Sequence, residues 1–137
     1  MNSNNKQITL YFYGYTWEEY AFQISSMKGI YVVYGGKLSS EGEVELHVVL
    51  YIGFHTSMSE MYDCGVFELL KKRSSLYDRI FLAYAEFHDI EKGKAVAQKL
   101  NDVMQTMHPM ITSSDTATLG DVKIFCEGSC AMLPKEL

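Results

Sequence analysis

The chain has 137 residues, a formal net charge of −5, 47% hydrophobic and 21% charged residues, all ordinary for one soluble globular domain. A chain of that length buries a core without metal or disulfide staples. The acidic balance argues against a protein built for non-specific phosphate binding, and the longest apolar runs are far too short to span a bilayer.

In chain order, Met1-Asn2-Ser3-Asn4-Asn5 is polar, lacks a charged-then-apolar signal pattern and reads as a frayed end of a cytoplasmic protein. Ile8 to Tyr13 is rich in β-branched and aromatic residues and predicts a strand, ended by Gly14. Thr16-x-x-Glu19 is a capping-box pattern, and Trp17, Tyr20, Ala21 and Ile24 follow at helical spacing, so a short amphipathic helix runs to Ser25-Ser26. Ile30 to Tyr34 is a second strand, broken by Gly35-Gly36, and the polar stretch Lys37 to Glu43 is a loop. Val44 to Ile52 is a third strand, with Val44, Leu46, Val48 and Leu50 alternating onto one face. The second and third strands pair as an antiparallel hairpin.

A second capping box, Ser57-x-x-Glu60, opens a helix carrying Met58, Met61, Tyr62, Val66, Leu69 and Leu70. Its end is the basic cluster Lys71-Lys72-Arg73, where the helix dipole favours cations. Ile80 to Phe87 is a fourth strand. Asp89 then caps a helix that buries Val96, Leu100, Val103 and Met107 and stops at Pro109. Val122 to Cys126 is a final strand, and Pro134 to Leu137 reads as a second frayed end. With no internal repeat or linker, residues 1–137 form a single domain. The expected fold class is α/β (α+β): a small mixed, mainly antiparallel sheet flanked by helices.

Gly29-Ile30-Tyr31 lies on one predicted strand and Tyr51-Ile52-Gly53 at the end of the next. A helix, a strand and a helix running into Pro109 come after them. In that order and placement the chain resembles the GIY-YIG nuclease superfamily over residues 29–112. The N-terminal strand–helix and the C-terminal strand lie outside that core.

The resemblance implies metal-assisted phosphodiester hydrolysis, with Mg2+ or Mn2+ as cofactor if the domain is active. In the family the two motif tyrosines position or deprotonate water, an Arg on the first helix contacts the phosphate, and a Glu on the second holds the metal. An Asn after a Pro braces the site. Tyr31 and Tyr51 match the motif tyrosines. From Phe54 to Leu70 there is no Arg or Lys, and His55 is the one residue there that can carry positive charge. Gly93 to Leu100 has no carboxylate, with Gln98 as the nearest polar stand-in, and Thr112 stands where the family has Asn. Removing one group that acts mainly in the transition state costs on the order of 10²–10³ in rate. With both cation and metal ligand missing, a catalytically degenerate domain kept for nucleic-acid or protein binding is the expected outcome.

Two alternatives stand beside it. One is a metal-dependent phosphodiesterase or endonuclease with a relocated site, using Arg73 or Arg79 as cation and Glu86 or Glu91 as ligand. The other is a protein-interaction module that self-associates or grips a partner. Tyr31, Tyr51 and His55 are the candidate catalytic residues. Lys71, Lys72, Arg73 and Arg79 are the candidate phosphate contacts, or else a solvated helix end. The metal ligands are not identified. The scattered histidines, His47, His55, His88 and His108, make no His-x-x-x-His pair. Cys64, Cys126 and Cys130 read as free thiols of a reduced compartment.

Overall fold

A computed structural model describes residues 7–14, 27–57, 79–104, 108–109 and 122–137. The helices expected after Thr16 and after Ser57 lie outside them. The described part is a mixed α+β fold. Its strands are β1 (Gln7–Gly14), β2 (Gly29–Leu38), β3 (Val44–His55), β4 (Arg79–Glu86), β5 (His108–Pro109) and β6 (Lys123–Gly128), and its helix is α1 (Ile90–Met104). The sheet order is β5-β3-β2-β4-β1-β6. The interior pairings β3–β2, β2–β4 and β4–β1 are antiparallel, whereas β5 and β6 join the two sides in parallel.

Burial explains the contrast between strands. In β2, Ile30, Tyr31, Val32, Val33 and Tyr34 are all buried, so both faces of this central strand are covered and the sequence reads as an unbroken apolar run. Towards the β6 side, β1 alternates, with Leu10 and Phe12 inside and Thr9, Tyr11 and Tyr13 outside.

One sheet face carries Ile30, Val32, Tyr34, Ile52, Phe54, Ala83 and Ala85, and α1 packs its Ala95, Val96, Ala97 and Leu100 there. Asp89 starts the helix as expected, its Oδ1 accepting from the Lys92 amide at 3.0 Å. Gly93 lets the helix approach the sheet, because a Cβ there would overlap the Phe54 ring. Buried Asn101 donates from Nδ2 to the Ile52 carbonyl at 2.8 Å and to that of Ala97 at 3.1 Å, tying helix to strand.

Four local expectations are corrected. Gly35-Gly36 does not break β2, which continues to Leu38 because its backbone stays paired with β3 as far as Val44. The turn is Ser39–Glu43, closed by Ser39 N to Glu43 O at 2.8 Å, with Gly42 at a φ of 84°. The faces of β3 are also not those of simple alternation. Val33 pairs Tyr51 but Tyr34 pairs Val49, so Leu50 is an extra residue, and a second shift falls at His47. Each bulge reverses the facing of the residues beyond it, which puts Val49 in the α1-covered core in place of Val48 and Leu50.

Among the described residues helix α1 spans Ile90–Met104 and His108–Pro109 is already strand, so the helix does not run into Pro109, and Val103 is half-exposed because the buried stripe turns through Gly93, Val96, Ala97, Leu100 and Asn101. Met107 lies outside the described residues. The tail after Cys130 is built in rather than frayed. Cys126 N donates to Lys135 O at 3.0 Å, Ile124 and Leu137 exchange backbone bonds, Leu133 is buried and the Tyr34 hydroxyl donates to Ala131 O at 2.8 Å. Those bonds satisfy backbone groups along β6 that would otherwise form an open sheet edge.

Among the described residues no helix is long and apolar enough to cross a membrane.

Candidate functional site

The sheet face opposite α1 carries both motif tyrosines. Directly paired residues share a face, and Tyr31 pairs with Gly53 on one side and Tyr84 on the other. Val33 pairs with Tyr51, and Gly29 lies between His55 and Glu86. Tyr31, Tyr51, Gly53, His55, Tyr84 and Glu86 therefore occupy one face. Their rings form a continuous row: centroids are 5.1 Å apart for Tyr11–Tyr13, 5.7 Å for Tyr13–Tyr84, 6.5 Å for Tyr84–Tyr31, 6.0 Å for Tyr31–His55 and 5.9 Å for His55–Tyr51. The row runs from solvent, where Tyr11 and Tyr13 are half-exposed, to an interior where Tyr31 is 0% and Tyr51 3% exposed.

Both motif hydroxyls are engaged within the protein. The Tyr31 hydroxyl donates to the Met27 carbonyl just before β2. The Tyr51 hydroxyl and His55 Nε2 are 2.6 Å apart, and His55 is buried. Residues i and i+4 of a strand stand about 13 Å apart, so these two side chains meet only because the Tyr51 ring lies along β3. Gly53 makes that possible. A Cβ there would stand 2.7 Å from Tyr51 Cζ and 2.9 Å from Cε2, and would overlap the hydroxyl. The Tyr-x-Gly-x-His spacing of Tyr51, Gly53 and His55 is thus a packing unit. Gly29 has an equally local reason: a Cβ there would fall 2.9 Å from the Ala85 carbonyl carbon and 3.0 Å from Glu86 Cα. Packing of the Tyr51 ring at Gly53 and close approach of β4 at Gly29 account for both motif glycines.

The remaining sequence-derived candidates separate. Lys71, Lys72 and Arg73 lie outside the described residues. Arg79 opens β4 with its backbone opposite Gly36, seven pairs along from the Gly29–Glu86 pair. Gln98, in the stretch expected to supply a metal carboxylate, sits on the helix that covers the other sheet face, where its Nε2 donates to Asp102 Oδ1 at 2.8 Å. Glu91 is exposed in the first turn of α1. Glu86 alone of the candidate carboxylates shares the tyrosine face, with His88 Nε2 3.1 Å from its Oε1.

Mg2+ and Mn2+ take oxygen ligands in near-octahedral sets. One carboxylate beside a buried tyrosine–histidine pair does not make such a set, and among the described residues no three His, Cys, Asp or Glu side chains converge. No metal-dependent step follows from this donor set.

Tyr84 and Tyr13 extend the face and were not singled out from the sequence. The alternation of Phe81 to Tyr84 gives two faces but not which one meets Tyr31, since that depends on the register of β2 with β4. Away from this face, Cys126 and Cys130 are free thiols. Burial pushes the Cys126 thiol up to about 12, with Cys130 adding to it, and burial raises Cys130 as well.

Comparison with known proteins gives no matching family model, no matching curated protein and no matching solved structure.

Proposed function

We propose that this chain is a GIY-YIG-type domain that binds rather than cuts. One observation carries the reading: the hydroxyls of Tyr31 and Tyr51, the groups a nuclease of this kind uses on water, are buried and engaged with Met27 and His55. A hydroxyl held in that way is a structural hydrogen-bonding group, and presenting it to a phosphate means breaking a buried hydrogen bond. The sequence supports the same conclusion, with no Arg or Lys from Phe54 to Leu70 and no carboxylate from Gly93 to Leu100. A shared fold does not carry chemistry with it. Of the two ligand classes such a domain takes, nucleic acid and protein, the net charge of −5 favours a protein.

A second reading, a metal-dependent phosphodiesterase with a relocated site, would need ligands beyond Glu86, the candidate carboxylate that lies across Gly29 from His55 on the tyrosine face.

Incubation of supercoiled plasmid and single-stranded RNA with high concentrations of the protein and Mg2+ or Mn2+ separates the two. The binding reading predicts no nicking above a buffer control. Nicking that Glu86→Gln removes overturns it in favour of the relocated site. Nicking that Tyr31→Phe removes overturns it in favour of an active site of the family type. A nucleic-acid ligand would further show affinity falling steeply with salt, whereas a protein ligand leaves nucleic-acid binding absent.

A further inference from the structure

We draw no further inference here: the strongest candidate, the half-exposed Tyr11–Tyr13 ring pair on β1 that continues the aromatic row to the surface, is a sheet face with no partner element among the described residues, and nothing in the structure shows what covers it.

Discussion

Replacing Gly53 by Ala tests the packing unit directly. The added methyl would overlap the Tyr51 hydroxyl and stand 2.7 Å from Cζ. Tyr51 is 3% exposed, so its ring has nowhere to move without displacing neighbours. Overpacking of this kind costs about 1–3 kcal/mol. If the ring is pushed off His55, the lost buried hydrogen bond adds about 1–3 kcal/mol. Restricting the unfolded chain returns about 0.4–1 kcal/mol. The net is a destabilisation of about 1–5 kcal/mol if the hydrogen bond is lost. A 137-residue chain has an unfolding entropy of roughly 290 cal/mol/K at ~2.1 cal/mol/K per residue, so Tm should fall by about 3–17 °C.

The assay is thermal and urea unfolding followed by circular dichroism, with Tyr51→Leu as a second background. Leu lacks the atoms that the new methyl meets. Gly53→Ala should therefore cost about 1 kcal/mol or less in Tyr51→Leu, giving a clear coupling energy between the two positions. An unchanged Tm for Gly53→Ala, or the same loss in both backgrounds, would refute the account of this glycine.

Asp89→Ala should lower stability by about 0.5–2 kcal/mol through loss of the cap on α1, while Asp89→Asn should recover most of it in the same urea titration. Asn101→Leu should cost about 1–3 kcal/mol, because the Ile52 and Ala97 carbonyls lose a buried donor, and hydrogen exchange should quicken in α1. The Cys126 thiol predicts a pH dependence. Its folded value lies above the ordinary 9.0, so above pH 9 the unfolded state binds fewer protons than the folded one. That contribution to stability is intact below pH 9 and is lost progressively as pH rises from 9 towards about 12. Cys126→Ser should shrink the loss across that window, and an unaltered profile would contradict the burial argument.

Strand composition and the Asp89 cap were legible in the sequence because they are local: β-branched and aromatic runs make strands, and a carboxylate before an apolar repeat makes a helix start. The features that were not legible depend on partners distant in the chain. Gly35-Gly36 is weak strand material alone, but cross-strand pairing through Leu38–Val44 carries the hairpin through it. The bulges at Leu50 and His47 leave no mark in an alternating sequence, yet they decide which side chains meet α1. Val103 fits a helical repeat, but the stripe that meets the sheet runs through Val96, Ala97, Leu100 and Asn101 and leaves it half-exposed. The tail looked like a frayed end because its polar residues hide a backbone pairing with β6.

The candidate site divides along the same line. The motif tyrosines could be read from their tripeptides. Their partners could not. The Tyr51–His55 contact needs the ring to fold over Gly53, and Glu86 comes onto the tyrosine face only through the β2–β4 register. The register also separates what the resemblance joined, since the helix expected to supply a metal ligand covers the opposite face from the tyrosines.

The most direct test of the claim that the motif tyrosines serve the fold is Tyr51→Phe, measured against the unsubstituted protein in a plasmid-nicking assay with Mn2+, with unfolding run on the same samples. The account predicts no cleavage by either protein and a stability loss of about 1–3 kcal/mol, because buried His55 loses its hydroxyl partner. Cleavage by the unsubstituted protein that disappears in Tyr51→Phe, with stability unchanged, would contradict it.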